Sequence, residues 1–311
     1  MPYPKVTIVG AGNVGATAAE IILRKEIADV VLIDVVEGVP QGKALDMMHM
    51  RSVERFGPTV SGTNDYADTK GSDVVVITAG VPRKPGMTRE DLLDVNSKIM
   101  KSVIGQALAA SPDAVFICVT NPLDVMTYLA YRESGLPKER LMGMGGVLDS
   151  ARFAYYIQQK VGCGIDEVEA LVVGAHGGGM VPLPRFSTVG GKALTDVLSA
   201  DEVEEVCAQA VGGGGAVVEL LKTGSAFYAP GASIARMVQA ILTDDDTTLS
   251  VCARLEGEYG IDDIYMCVPV KLGRGGIEEI VELPLDESER KTLADSAASI
   301  AAQVDALGLR A

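Results

Sequence analysis

The chain holds two histidines, and one of them, His176, stands in "GAHGGGMVPL" directly before three glycines. An imidazole titrates near neutral pH, so a bent strand end that presents it to a pocket makes it a candidate proton donor or acceptor. His49, in "LDMMHM", falls inside a helical apolar pattern and reads as structural. The run "HGGG" also suits an esterase oxyanion loop. That chemistry needs a G-x-S-x-G nucleophile elbow, and "GASIA", which begins at Gly231, ends in Ala235 instead of glycine.

Two further segments offer charge in a usable pattern. "LDSARFAYYI" places Asp149 and Arg152 on one face of a helix start, where Asp149 serves either as a helix cap or as a partner for a catalytic group. Arg152 is either solvated or a planar fork for a carboxylate. "VPRKPGMTR", Val81 to Arg89, carries three cations and no acid within a chain of net charge −15. Pro82, Pro85 and Gly86 interrupt regular structure there, so the segment suits a cover that brings Arg83 and Arg89 to an anionic ligand; Lys84 reads as solvated.

"VTIVGAGNVGATAAEII" sets Gly10, Ala11, Gly12, Asn13, Val14 and Gly15 between a predicted strand and a predicted helix. Gly10 permits a tight turn, Gly12 lets backbone approach a pyrophosphate, and Gly15 lets the helix pack on the strand. The next strand ends at Asp34, nineteen residues past Gly15. A carboxylate there accepts from ribose hydroxyls and repels a 2′-phosphate, so NAD is expected in preference to NADP. "VTNPLDV" puts Asn121 just beyond another strand, on the side where open parallel sheets bind ligands.

The elements that must position these groups fall into two textures. From residue 5 to about 145, "VTIVG", "VVLID", "DVVVITAG", "AVFICVTNP" and "RLMGMGG" read as continuous apolar strands alternating with helices, which predicts a doubly wound parallel sheet covered on both faces. After Gly146 the pattern becomes α+β. A helix at "SARFAYYIQQK" is followed by a hairpin-like pair, "EALVVGAH" with "MVPLPRFSTVG", and two more helices. "YMCVPVKL" and "GIEEIVEL" read as a polar-alternating hairpin before a last helix from about Ser288. The glycines Gly212 to Gly215 read as a break between helices. The expected domains are 1–145, dinucleotide-binding, and 146–311, catalytic.

Composition sets outer bounds. A chain of 311 residues with 48% apolar and 22% charged content is globular, and no apolar run approaches the roughly 20 residues of a membrane span. Strong acidity disfavours a nucleic-acid surface, which needs clustered cations. The five cysteines are widely spaced without a C-x-x-C pair, so neither a disulfide framework nor a metal site is expected. The strand-like run at residue 5 leaves no room for a targeting leader, and a cytoplasmic location is expected.

Taken in order, the glycine-rich loop with Asp34, "VPRKPGMTR", "TNP", "LDSARF", "GAHGGGMVP" and "ELLKTGSAFYAPGAS" resemble the malate dehydrogenases of the lactate dehydrogenase-like branch over nearly the whole chain. The resemblance implies a Rossmann domain followed by an α+β catalytic domain, and NAD-dependent interconversion of malate and oxaloacetate. It implies His176 as general acid/base, Asp149 as its orienting carboxylate, Arg152 on the carboxylate beside the reacting carbon, and Arg89 on the carbonyl. Arg83 would meet the distal carboxylate, Asn121 would hold substrate and nicotinamide, and Asn96 with the Val119 carbonyl would add cofactor contacts. "VGGGGAVVELL" lacks the basic residues expected before its glycines, a departure assigned here to a helix junction. "EIILRKEIADVVLI" and "AVVELLKTG" read as apolar helices that suit subunit packing, and the resemblance implies a homotetramer, with a homodimer as the alternative. Rival readings are a lactate or other 2-hydroxyacid dehydrogenase, and a catalytically silent dinucleotide sensor.

Overall fold

The computed structural model describes residues 2–82 and 89–310, with the backbone alone for Arg89 and Glu90. Arg83, Lys84 and the side chain of Arg89 therefore lie outside the described residues. In chain order, the first elements are β1 (Lys5–Val9), α1 (Asn13–Arg24), β2 (Asp29–Ile33), α2 (Val39–Glu54), β3 (Val60–Thr63), β4 (Val74–Ile77), α3 (Arg89–Ala110), β5 (Val115–Cys118), α4 (Leu123–Ser134) and β6 (Leu141–Gly143). They are followed by α5 (Gly146–Val161), β7 (Val168–Glu169), β8 (Val172–Gly174), β9 (Met180–Pro182), β10 (Thr188–Val189), β11 (Lys192–Ala193), α6 (Leu194–Val197) and α7 (Ala200–Leu221). The chain closes with α8 (Tyr228–Thr243), β12 (Thr248–Glu256), β13 (Asp262–Gly273), β14 (Gly276–Ile280) and α9 (Glu287–Ala306).

Two compact units form. The first comprises Met1–Met144, Phe227–Thr247 and Lys271–Glu279, and the second Gly145–Ala226, Thr248–Val270 and Ile280–Ala311. In the first unit the strands lie in the order β3-β2-β1-β4-β5-β6, all parallel. This is the doubly wound arrangement in which strand order reverses beside β1, the place where such sheets bind nucleotides. Continuous burial of β1, β2, β4 and β5 explains their unbroken apolar sequences, because helices cover both faces. Ile22 and Leu23 of α1 are buried within this unit, and Asp29–Ile33 is a strand, so "EIILRKEIADVVLI" is not one helix, and most of its apolar residues are buried. The short strand β3, "VSGT", carries too few apolar residues to be legible in the sequence.

The second unit holds β12-β13-β8-β9 and a separate antiparallel sheet β11-β10-β7. Phe153 and Ile157 of α5, Val206 and Ala210 of α7, and Val172, Met180, Val189 and Leu194 form one core. β14 pairs with β13 as expected, but Ile264 to Val270 of β13 are buried at every position, so this strand does not alternate. The glycine run also differs from expectation. Helix α7 continues through Gly212 to Gly215, started by a Ser199/Glu202 capping box and packed on the core by its apolar side. None of the five cysteines forms a disulfide, three of them are buried, and burial pushes the Cys118 thiol up to about 12.

Candidate active site

The glycine loop of the first unit bends where β1 gives way to α1. Gly10 has φ +108°, a region open to glycine, and a Cβ there would lie 2.6 Å from Thr78 Oγ1. A Cβ on Gly15 would overlap the Gly10 carbonyl, so helix and strand can meet only if both positions stay bare. Gly12 differs from both: a side chain there would meet nothing within 4 Å, so the fold makes no demand for glycine, whereas the close approach of a ligand would. Gly12 is also the N-cap of α1, and no acidic side chain sits in the first turn to compete with a phosphate for its N–H groups. These features fit a bound dinucleotide.

Asp34 lies at the end of β2 and holds the loop directly. Its Oδ2 accepts from the Ala11 N–H at 2.8 Å and its Oδ1 from the Val36 N–H at 3.0 Å. Each carboxylate oxygen keeps a further lone pair for a ribose hydroxyl. Lys43 of α2 donates to the Ala11 carbonyl at 2.7 Å, so both backbone polar groups of this one residue are held. Lys43 was not legible as a site residue, because the contact spans 32 positions and no local motif signals it. His49 is exposed on the same helix.

At the same edge of the sheet, Asn121 is exposed after β5 and is joined to Pro122 by a cis peptide bond. Val119 continues the edge with its N–H on the Ile77 carbonyl. Asn96 of α3 is 1% exposed, and its carboxamide accepts from the Val81 N–H and donates to the carbonyls of Val81 and Asn121. It thus couples the loop after β4 to the loop after β5.

In the second unit, three sequence-selected side chains come together. Helix α5 begins after Gly145, so Asp149 is not its cap but a first-turn residue turned inward and 1% exposed. Its Oδ2 lies 2.7 Å from His176 Nδ1, and its Oδ1 accepts from Arg152 NH1 at 3.2 Å. With the carboxylate ionised, Nδ1 carries the hydrogen and proton exchange falls to Nε2. His176 itself follows β8 on a turn shaped by Gly174 and Gly177, with φ +89° and +99°. Ser296 of α9, a residue the sequence did not single out, pins this turn at both ends: its Oγ accepts from the Ala175 N–H at 2.8 Å and donates to the Gly179 carbonyl at 2.7 Å. The arrangement is an imidazole with a carboxylate on Nδ1, able to exchange a proton at Nε2, and a guanidinium held on the same carboxylate.

Comparison with known proteins divides the chain once, near residue 145, although Phe227–Thr247 and Lys271–Glu279 belong to the first compact unit. The sequence profile of the lactate/malate dehydrogenase NAD-binding domain matches residues 4–143, and that of the family's alpha/beta C-terminal domain matches 146–307. A malate dehydrogenase of Dehalococcoides mccartyi is 51% identical over 98% of this chain and 100% of its own length. The crystal structure of Cryptosporidium parvum malate dehydrogenase superimposes with a TM-score of 0.95 at 43% identity, covering 99% of each chain. The lactate dehydrogenase of the same organism, complexed with lactic acid and nicotinamide adenine dinucleotide, also gives 0.95, at 39% identity and full coverage of both chains. Backbone similarity therefore does not separate the two substrates.

Proposed function

This chain belongs to the lactate/malate dehydrogenase family, and we infer that it is an NAD-dependent malate dehydrogenase, moving a hydride reversibly between malate and NAD to give oxaloacetate and NADH. The observation that carries the chemistry is the bonded set Arg152, Asp149 and His176, since a pure binding module has no use for an oriented proton acceptor. The choice of malate is supported by relatives near 50% identity that bear that name.

NAD, when bound, supplies the hydride-accepting ring; the residues to hold it are Gly10 to Gly15, Asp34, Val119 and Asn121, with Asn96 acting through the loops it ties. The chain's own side chains do the rest. His176 Nε2 accepts the substrate hydroxyl proton as the carbon beneath it gives up hydride, and Asp149 stabilises the imidazolium that results. Arg152 binds the carboxylate beside that carbon through two parallel N–H bonds. Arg89 polarises the carbonyl, and Arg83 meets the distal carboxylate of a dianion.

No helix among the described residues is long and apolar enough to cross a membrane, and a cytoplasmic place in the tricarboxylic acid cycle belongs to the proposal. So does assembly into a homotetramer, or alternatively a homodimer, for which the exposed Val218, Leu220 and Leu221 of α7 are the support.

The test is nicotinamide absorbance with NADH and either oxaloacetate or pyruvate. Rapid loss with oxaloacetate and slow loss with pyruvate is expected. The reverse preference would make the chain a lactate dehydrogenase, and no loss with either, despite NADH binding, would make it a sensor.

A further inference from the structure

The β8–β9 hairpin is opened at its tip by a side chain from another element. Its register pairs Val172 with Pro182, Val173 with Val181 and Gly174 with Met180, and the Leu183 N–H donates to the Leu171 carbonyl at 2.9 Å. Hydrogen-bonded pairs recur at every second residue of an antiparallel ladder, so after 171/183 and 173/181 the next would join Ala175 to Gly179. The Ser296 hydroxyl is inserted at that place. Its Oγ accepts from the Ala175 N–H at 2.8 Å and donates to the Gly179 carbonyl at 2.7 Å, the groups that a further rung would have bonded to each other. One oxygen between them holds the N–H and the carbonyl apart, so the loop stays open from Ala175 to Gly179 and His176 projects from it. Gly174 makes the room: its φ is +89°, and a Cβ there would lie 2.9 Å from the Gly179 carbonyl oxygen and 3.0 Å from Ser296 Oγ.

We propose that Ser296 is a positioning residue for His176, holding the backbone from which the imidazole reaches its substrate. Asp149 Oδ2, 2.7 Å from Nδ1, fixes the ring at one atom. Where Nε2 then stands depends on the main chain at His176, one residue from the N–H that Ser296 holds. Helix α9 is a firm base for that hold. It is buried through Leu293, Ala297, Ile300 and Val304 and started by an Asp286/Glu289 capping box, and Glu289 accepts from Arg185 at 2.9 and 2.7 Å. Ser296 itself is only 6% exposed. Without its hydroxyl, the Ala175 N–H and the Gly179 carbonyl would either pair directly and close the loop or take in water and widen it, because a buried polar group left unpaired is costly. Both outcomes move His176. The proposal rests on the reading of His176 as the group that exchanges the substrate proton, and Ser296 acts only through it.

The experiment compares Ser296→Ala, Ser296→Cys, Thr292→Ala, His176→Asn and the double variant Ser296→Ala/His176→Asn by steady-state kinetics with oxaloacetate and by NADH binding. Alanine suits a helix interior, so Ser296→Ala leaves α9 itself intact. It is expected to lower kcat by about tenfold or more, since misplacement by about an ångström is felt on that scale, with a smaller change in KM and an unchanged affinity for NADH. Thr292, whose hydroxyl donates to the Ser288 carbonyl of the same helix, is the control, and its Ala variant should keep the wild-type kcat. The double variant tells positioning from mere support of the fold. With no imidazole left to misplace, Ser296→Ala should cost nothing further in the His176→Asn background. A wild-type kcat in Ser296→Ala, or a fall by the same factor in both backgrounds, overturns the proposal. Should Ser296→Ala fail to fold, Ser296→Cys decides: a thiol is a weak donor and acceptor, so kcat should fall several-fold, and a wild-type kcat overturns it. His176→Asn separates the two readings: slow turnover there with a wild-type Ser296→Ala removes the role of Ser296 and leaves that of His176, whereas wild-type turnover in His176→Asn removes both.

Discussion

A carboxylate that holds an imidazole on one oxygen and a guanidinium on the other would, in the proposed enzyme, couple proton transfer to substrate grip through one side chain. Asp149 is that carboxylate, and the arrangement predicts how single substitutions divide. His176→Asn removes the proton acceptor but leaves the nucleotide loop untouched, so NADH binding should persist while kcat falls by about 10²-fold or more, the usual scale of general acid–base contributions. His49→Asn, on the exposed face of α2, is the matched control and should turn over normally; near-normal turnover in His176→Asn would reject the assignment. Arg83 lies outside the described residues, and its role is argued from charge. Pyruvate has one carboxylate and oxaloacetate two; Arg152 takes the shared one, so the second needs another cation. Losing one partner of a desolvated pair costs about 2–5 kcal/mol, roughly 30- to several-thousand-fold in kcat/KM. Arg83→Gln should lose that much toward oxaloacetate while pyruvate holds or improves. An equal fall for both substrates, or a larger fall toward oxaloacetate from Lys84→Gln, would reject it. At this scale the residue types of the site were legible, because strand-end histidines and forked cations announce their chemistry. Their partnerships were not: Asp149 and His176 are 27 positions apart, and Ser296 reaches the His176 turn across 121.

Elements are legible where sequence period and burial agree, and illegible where packing overrides local preference. Parallel strands buried on both faces produce the apolar runs of β1, β2, β4 and β5, whereas β3 has a polar centre and was passed over. Four successive glycines argue against a helix, yet α7 runs through them from Ala200 to Leu221. Burial of Val206 and Ala210 on α5 supplies what propensity withholds. That conflict yields a stability prediction. Gly212 and Gly215 are exposed and would meet nothing as Ala, so each Gly→Ala change should stabilise the protein by about 0.5–1 kcal/mol by relieving backbone entropy. Denaturant unfolding of Gly212→Ala and Gly215→Ala, with oxaloacetate turnover measured alongside, should give higher midpoints and wild-type rates. A loss of stability in either would reject backbone entropy as the deciding effect at that position.

For the molecule as a whole, charge and apolar exposure act in opposite directions on association. Each chain carries a net −15, which repels its copies over about 10 Å at 0.1 M salt and farther in weaker buffer. Against this, the last turn of α7 exposes Val218, Leu221 and, at 82%, Leu220, apolar side chains whose burial against a second copy would be favourable in proportion to the apolar area removed from water. The homo-oligomer proposal thus predicts association that salt strengthens. Light scattering should give particles of four times 32.5 kDa at moderate salt, or of twice that mass if the dimer alternative holds, with smaller species appearing on dilution at low ionic strength. Leu220→Lys places a charge in this exposed apolar turn and should shift the mass downward under the same conditions. Leu220 lies in α7 and the nucleotide loop at the start of α1, so NADH binding by the dissociated form should remain measurable and distinguish loss of assembly from loss of fold. A wild-type mass of 32.5 kDa at every protein and salt concentration would reject the oligomer, and a Leu220→Lys protein with unchanged mass would reject this face as the one that is covered.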